Sequence, residues 1–122
     1  MRWRKEEGQS TVEFALVLPI FLLLIFGMMD FGWLFYNKIE INNASREGAR
    51  YAVIHCSDFG YDEQQTVLHV NKYVPTATVD ISSDVEDITV SVKRDVEVLT
   101  GVSQVFLGDT VEIQASCTMR KE

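Results

Sequence analysis

The chain has 122 residues, of which 47% are hydrophobic, and a formal net charge of −7 at pH 7. This length has room for one small domain beside a membrane segment. From Tyr51 onward there are twelve acidic and five basic residues, a balance that argues against a nucleic-acid partner, because such a partner needs a basic face. A well-solvated surface explains the acidity.

An apolar segment follows a short polar N-terminus. Residues 14–29 carry no charge and would form about 24 Å of helix at roughly 1.5 Å per residue, slightly less than the hydrocarbon core of about 30 Å. Extending the segment through Asp30 to Tyr36 makes it long enough and adds aromatic residues that suit a membrane interface. We therefore predict a transmembrane helix segment over residues 9–36, with Asp30 as its anomalous charge.

A cleaved secretory signal is the competing interpretation of this segment. Its apolar core should be shorter and should end in an Ala-x-Ala-like site, and no such site follows Met29. The segment is preceded by the basic residues Arg2, Arg4 and Lys5. The positive-inside rule therefore predicts a cytoplasmic N-terminus. We expect a single-pass protein of the cytoplasmic (inner) membrane. Residues 37–122 would then form an extracytoplasmic domain.

The helical pattern continues beyond the membrane segment. We expect one helix from about Ser10 to about Ile54, interrupted only by Pro19, which removes a backbone donor and should kink it. Small residues recur every four positions in its second half, at Ala44, Gly48 and Ala52. Such a stripe lets another backbone approach closely. Packing against the protein's own sheet is an equally good interpretation.

The rest of the chain predicts a short helix and three strands. Asp62 and Gln65 fit the N-terminal capping pattern of a helix that must end before Pro75, with one apolar face formed by Val67, Val70 and Val74. The apolar period then changes to two in three runs, the second of which is broken by Arg94; the runs begin at Ala77, Ile88 and Val111. We predict an α+β fold in which the second half of the long helix covers an antiparallel sheet.

Two cysteines, Cys56 and Cys117, are predicted to lie where the end of the long helix meets the sheet. In an extracytoplasmic domain a disulfide between them is chemically permitted. Closing a loop of about sixty residues would stabilise the domain by roughly 4 kcal/mol in the chain-entropy model. Two buried free thiols are the alternative, and we favour the disulfide.

His55, Cys56 and His69 are the candidates for catalysis. Adjacent residues on a helix do not face each other, and no acidic residue is placed to orient either ring. The spacing of the histidines and cysteines also fits none of the usual zinc patterns. The sequence therefore predicts a protein that is not an enzyme and that uses no metal, no cofactor and no small-molecule substrate.

A resemblance to a known family rests on the N-terminal segment. The sequence there resembles the processing site of type IV prepilins and, more specifically, is similar to the TadE-like family of pilus assembly proteins; it reads Gly8-Gln9-Ser10-Thr11-Val12-Glu13-Phe14-Ala15-Leu16-Val17-Leu18-Pro19. The triplet Asp30-Phe31-Gly32, followed by aromatic residues, and the segment 43–52 add to this resemblance, which covers roughly residues 8–54.

TadE-like proteins are regarded as pseudopilins or minor pilins of the tight-adherence (Flp) pilus, a type IV-like pilus. The resemblance implies a pilin-like fold and a leader of residues 1–8. It also implies maturation by a prepilin peptidase, which would cut between Gly8 and Gln9 and leave Gln9 with a free ammonium.

Glu13 would then lie one helical turn beyond the new N-terminus, on the same face. A carboxylate in an apolar run is costly unless it is paired, and the ammonium of a neighbouring subunit would both pair it and set the axial register. We therefore assign Glu13 and Phe14 to assembly by this resemblance. The alternative is that Ser10 and Glu13 form a capping box for the membrane helix.

Two further segments carry hypotheses. Glu47 can reach Arg50 at three-residue spacing, and with Arg46 these residues would hold a neighbouring helix or the protein's own domain; an exposed ion pair worth under about 1 kcal/mol is the alternative. The segment 102–107 is unusually apolar for a loop. It would contact a pilus partner or, as we favour, plug the core beneath the sheet.

The expected function is that of a noncatalytic, membrane-anchored subunit that helps to build a type IV-like pilus. The expected partners are membrane lipid, a prepilin peptidase, other pilins or pseudopilins, and the membrane proteins of pilus assembly, and the subunit would enter a cell-surface pilus or stay in the membrane. The alternative is an uncleaved, signal-anchored extracytoplasmic domain that acts as a binding or sensor module outside any filament.

Overall fold

The computed structural model describes the backbone of residues 3–121 and the side chains of residues 6–121. Three helices and three strands follow one another in the order α1 (Trp3–His55), α2 (Glu63–Tyr73), β1 (Thr78–Ser83), β2 (Asp87–Glu97), α3 (Gly101–Leu107) and β3 (Thr110–Arg120). This order confirms the predicted α+β class, with a long N-terminal helix before a small antiparallel sheet. Arg2 and the side chains of Arg4 and Lys5 lie outside the described residues, so the predicted orientation in the membrane stays a prediction.

Helix α1 is a single element of 53 residues that contains Pro19. Proline has no N–H, so the carbonyl of Ala15 loses its usual helical donor, but the helix continues on both sides. The helix begins at Trp3 rather than near Ser10. The proposed capping box of Ser10 and Glu13 is therefore absent from the uncleaved chain, because Ser10 lies inside the helix and not at its N-terminus.

The two halves of α1 have different surroundings. Residues 6–29 are exposed at every position, whereas from Asp30 onward one face of the helix is buried at the three- and four-residue spacing of an α-helix. The buried positions are Asp30, Asn37, Ile41, Ala44, Ser45, Gly48, Ala49 and Ala52. The folded domain is thus built on the second half of α1, as predicted, and its contacts with the helix begin at Asp30.

The sheet has the strand order β1-β2-β3, and both pairs are antiparallel. Val90 lies opposite Ile81 of β1 and Cys117 of β3 in the register of the central strand β2. The apolar face of β2 is buried beneath α1 through Ile88, Val90, Val92 and Val96. Alternating side chains on one pleated face produce this burial, which is the pattern that the sequence predicts.

Arg94 interrupts the apolar alternation of β2 but does not end the strand. Its Nη1 donates a hydrogen bond of 2.8 Å to Oε2 of Glu40 on α1, and both side chains are about two-thirds or more buried. The strand therefore continues through Arg94, since the guanidinium has an acidic partner on the covering helix.

Helix α2 follows the predicted bounds. Asp62 is its N-cap, and the carboxylate accepts a hydrogen bond from the backbone N–H of Gln64 at 3.4 Å. The helix ends at Tyr73, two residues before Pro75. Val70 and Val74 are fully buried, so α2 closes one side of the core that α1 and β2 form.

The sheet runs alongside α1, so that its two ends lie at different heights on the helix. The β2–β3 connection, which contains α3, meets α1 at Asp30 through Thr100. At the other end, Cys56 shares a cavity with Ile88 and Lys121. The connection with α3 is therefore the part of the domain that lies nearest to the apolar half of α1.

Gly48 marks the closest approach between α1 and the rest of the domain. A Cβ at this position would lie 2.5 Å from Cγ2 of Val70 and 3.2 Å from Cγ1 of Val90. Ala44 and Ala52, one turn before and one turn after, are also buried. Of the two interpretations of this small-residue stripe, the structure shows the intramolecular one, in which the stripe packs inside the protein's own domain.

We predict that Gly48→Ala lowers the stability of the domain by about 1 kcal/mol, because overpacking costs about 1–3 kcal/mol and exceeds a gain in helix propensity of about 1 kcal/mol. Val70 and Val90 are β-branched and fully buried, so neither can rotate away from the new methyl group. Thermal unfolding of the full chain in detergent should show a Tm lower by about 4–8 °C.

Gly32→Ala is the matched control, since no atom lies within 4 Å of a Cβ at that position of the same helix. Its Tm should stay at or above that of the wild type. A Gly48→Ala variant as stable as the wild type would contradict the close approach of Val70 and Val90 to this glycine.

Candidate functional site

The predicted processing segment lies in the exposed first turns of α1. Gln9 and Glu13 are one helical turn apart, and with Gly8, Val12 and Leu16 they line one shallow surface depression. No atom lies within 4 Å of a Cβ placed on Gly8. The predicted one-turn spacing of Gln9 and Glu13 is therefore present in the structure, while cleavage and pairing with a neighbouring subunit stay predictions.

Asp30 is the point at which α1 enters the folded domain. Its side chain is only 3% exposed. Oδ1 accepts a hydrogen bond of 3.1 Å from the backbone N–H of Thr100, and Oδ2 accepts hydrogen bonds from the hydroxyl groups of Thr100 and Ser103. A buried carboxylate is tolerated when donors surround it, and here one short segment supplies them all.

These contacts fix the start of α3 on α1. Thr100 is the N-cap residue of α3, but its hydroxyl makes no capping bond to the backbone of its own helix. It points instead to Asp30, together with Ser103 from the first turn of α3. The carboxylate of α1 therefore holds the cap residue and the first turn of α3 at one point.

The sequence identified Asp30 as an anomalous charge but not its role. Its donors lie 70 and 73 residues further along the chain, beyond the reach of any helical or strand periodicity. The only local signal is the pair of hydroxyl residues Thr100 and Ser103 before an apolar stretch, which marks a helix start but names no partner.

Helix α3 carries exposed apolar side chains. Val105, Phe106 and Leu107 are 81%, 80% and 56% exposed, and no residue of α3 is buried. The prediction that residues 102–107 plug the core beneath the sheet is therefore wrong. The core is already filled by valines of β2 and α2 and by small residues of α1.

Among the charged residues around the stripe, Glu47 has a partner in the protein's own domain, which is one of the predicted alternatives, but that partner is not Arg50. Glu47 faces His69, with 3.8 Å between Oε1 and Nε2, rather than Arg50. His69 stacks on Tyr51 at a centroid distance of 4.4 Å. Arg46 and Arg50 are exposed. Glu47 therefore serves contacts within the domain, between α1 and α2.

The candidate catalytic residues take part in local contacts. Nδ1 of His55 lies 2.9 Å from the carbonyl oxygen of Tyr51, and the thiol of Cys56 donates to the carbonyl oxygen of Val53 at 3.1 Å. These bonds direct the ring and the thiol to backbone groups of their own helix. Within the described residues, no group of three or more His, Cys, Asp and Glu side chains could hold a metal ion.

Both cysteines are free thiols in the structure and are half-buried. Each packs against the same hydrophobic core, Cys56 from the end of α1 and Cys117 from β3. The two thiols thus border one core, as predicted from the end of the helix and the parity of the last strand. The disulfide between them stays a prediction.

Fold and site together define an α+β domain that is carried on a helix long and apolar enough, by length and composition, to cross a membrane. Residues 8–50 match the family model described as TadE-like protein, which confirms the resemblance to the TadE-like family over that segment. The match covers the apolar half of α1 and most of its packed half, and it ends before the sheet. No curated protein and no solved structure matches the chain.

We predict that Asp30→Ala releases α3 from α1, since the donors of Thr100 and Ser103 lose their shared acceptor. Hydrogen exchange of the full chain should show faster exchange of the amides of residues 100–107, with unchanged protection in the core strand β2. Asp80→Ala, at an exposed position of β1, is the control and should leave the exchange of α3 as it is.

The double variant Thr100→Val with Ser103→Ala should loosen α3 in the same way, and adding Asp30→Ala to it should change little more, because all three residues belong to one network. Unchanged exchange of α3 in the Asp30→Ala variant would contradict the anchoring role of this carboxylate.

Proposed function

We propose that this chain is a membrane-anchored, noncatalytic subunit that acts in assembly of a tight-adherence (Flp, type IV-like) pilus as a pseudopilin or minor pilin. The observation that carries the proposal is a single helix whose two halves have different surroundings. Residues 8–50 of this helix match the TadE-like family model. Within these residues the helix is first exposed and apolar, and from Asp30 onward one of its faces packs against the folded domain.

The apolar half of α1 supports a membrane anchor. None of the stretch that is long and apolar enough to cross a membrane is buried inside the protein. Lipid or other helices must cover these large apolar side chains, because exposure of so much apolar surface to water is unfavourable. The proposal is a single pass through the cytoplasmic membrane with the domain outside.

The N-terminal segment supports maturation and register. Cleavage after Gly8 would leave the ammonium of Gln9 one turn from Glu13 on the same face. Within a bundle of such helices, an ammonium and a carboxylate at fixed spacing can pair between subunits, and each removes the cost of the other's charge in an apolar setting. Such pairing would place neighbouring subunits at one axial register.

The residues that suggest catalysis support a structural role instead. The rings of His55 and His69 both stack on Tyr51, at centroid distances of 4.1 and 4.4 Å. This stack joins the end of α1 to α2. We therefore include in the proposal that the protein is not an enzyme and that its partners are lipid, a prepilin peptidase, other pilins or pseudopilins, and the membrane proteins that assemble the pilus for cell adhesion.

One observation favours the alternative, an uncleaved signal anchor with a binding or sensor domain. Helix α1 runs without a break from Trp3 across the bond between Gly8 and Gln9, and a peptidase must open the helix to reach that bond. The barrier is small, because terminal turns fray at little cost and glycine lowers helix stability by about 1 kcal/mol relative to alanine.

We predict that the chain recovered from the membranes of its native host begins at Gln9. Intact mass and N-terminal sequencing should both place the start there, and Gly8→Leu should abolish the cleavage. Gly27→Leu is the control, since Gly27 is also an open glycine of α1 but lies in the membrane segment. A start at Met1 in the wild type would favour the uncleaved anchor.

We also predict that Glu13→Gln reduces the amount of assembled pilus, because the neutral amide cannot neutralise an ammonium. Sheared filaments are quantified after membrane insertion and cleavage of the variant have been verified. Glu7→Gln lies in the leader and should leave assembly unchanged. Normal pilus output with Glu13→Gln would remove this carboxylate from the mechanism.

A further inference from the structure

Helix α3 lies beside the outer part of the proposed membrane anchor, since its start contacts Asp30, which precedes the predicted end of that segment at Tyr36. Its cap residue Thr100 and its first-turn residue Ser103 both donate to Asp30, which directly follows the charge-free residues 14–29. The backbone N–H of Val98 donates to the carbonyl oxygen of Asp109 at 3.1 Å. This bond closes the β2–β3 connection, which contains α3. The topology thus places α3 at the end of the sheet that faces the anchor.

The chemistry of α3 suits the same medium that covers the anchor. Its sequence, Gly-Val-Ser-Gln-Val-Phe-Leu, contains no charged residue. Its exposed side chains Val105, Phe106 and Leu107 are as accessible as those of the anchor itself. At the same height on α1, Phe31 and Phe35 are exposed and stacked on each other, with 6.3 Å between ring centroids. Aromatic and aliphatic side chains at the end of a membrane helix are typical of the lipid interface.

We propose that α3 is a second membrane contact, in which Val105, Phe106 and Leu107 enter the outer leaflet of the bilayer that holds α1. This inference rests on the membrane anchor of the proposed function, but not on cleavage or on a pilus. Continuity with the anchor selects lipid as the occupant of this face, because Asp30 fixes the start of α3 at the edge of the apolar half of α1. An interfacial helix of this kind buries its apolar side about 5–10 Å into the boundary of headgroups and acyl chains.

The charges near α3 define which lipid it fits. Glu97 before it and Asp109 after it are exposed and acidic, and the helix itself has no basic residue. Attraction to anionic headgroups therefore contributes nothing, and the contact depends on burial of apolar surface. Insertion should be at least as strong in zwitterionic vesicles as in vesicles that contain anionic lipid, and in zwitterionic vesicles it should be nearly independent of salt.

The contact would set the orientation of the domain. A single membrane helix leaves the domain free to tilt against the bilayer surface, whereas a second point of insertion beside the helix restricts that tilt. A subunit that leaves the bilayer for a filament must then cover α3 as well as the anchor, so the same side chains would meet a neighbouring subunit after extraction.

The test uses the full chain in phosphatidylcholine vesicles, with tryptophan fluorescence quenched by lipids brominated near the top of their acyl chains. Trp3 and Trp33 are replaced by phenylalanine, and one tryptophan is introduced through Phe106→Trp. Two reference variants carry it elsewhere: Leu68→Trp on α2, at a side chain that is 70% exposed, and Phe21→Trp in the anchor. We expect blue-shifted and strongly quenched emission for Phe106→Trp, and emission as in lipid without bromine for Leu68→Trp.

Addition of Val105→Asp to the Phe106→Trp variant should abolish the quenching while the circular dichroism of the domain stays the same, since position 105 is exposed. Quenching of Phe21→Trp without quenching of Phe106→Trp would overturn the inference and leave the anchor intact. A blue shift without quenching at position 106 would assign α3 to a second copy of the chain and equally overturn it. Loss of quenching at position 21 would remove the anchor and with it the proposed function.

Discussion

Helix α1 serves two environments at once, and the rest of the structure depends on this. The core of the domain closes onto its second half, where Ile41, Ala49 and Ala52 are fully buried against α2 and the sheet. Its first half is exposed and apolar. Because one continuous helix forms both parts, the domain cannot change its position relative to the anchor unless the core unpacks or the helix bends at Pro19. A pull on the anchor would therefore act directly on the packed core.

Three polar contacts fasten the sheet to α1 at successive heights. Asp30 holds the β2–β3 connection, Lys38 donates to the carbonyl oxygen of Gln114 on β3, and Glu40 pairs with Arg94 on β2. Partly exposed ion pairs contribute about 1 kcal/mol or less, so burial of apolar side chains provides most of the stability. The polar contacts instead select one rotational setting of the sheet on the helix, and Gly48 permits the close approach that this setting requires.

Elements that depend on local periodicity could be predicted from the sequence. The strands at Ala77, Ile88 and Val111, the cap at Asp62 and the end of α2 before Pro75 are all determined by residues that are near one another in the chain, and the structure confirms them. The partners of Asp30 could not be predicted, since they lie about 70 residues away. The wrong prediction for residues 102–107 has a different cause. An apolar segment is stabilised when something covers it, but its composition does not indicate whether that is a core, a lipid or another protein.

The charge-free residues 14–29 lie between two carboxylates, Glu13 and Asp30, which have different surroundings. Asp30 is satisfied within its own chain, because Thr100 and Ser103 supply its donors. Glu13 lies on the exposed half of α1, on the same face as Gln9. A carboxylate that is already saturated gains little from a further partner, whereas one in an apolar setting gains a great deal. The pairing that we propose between neighbouring subunits would therefore use Glu13, whereas Asp30 holds α3 on α1 within one chain.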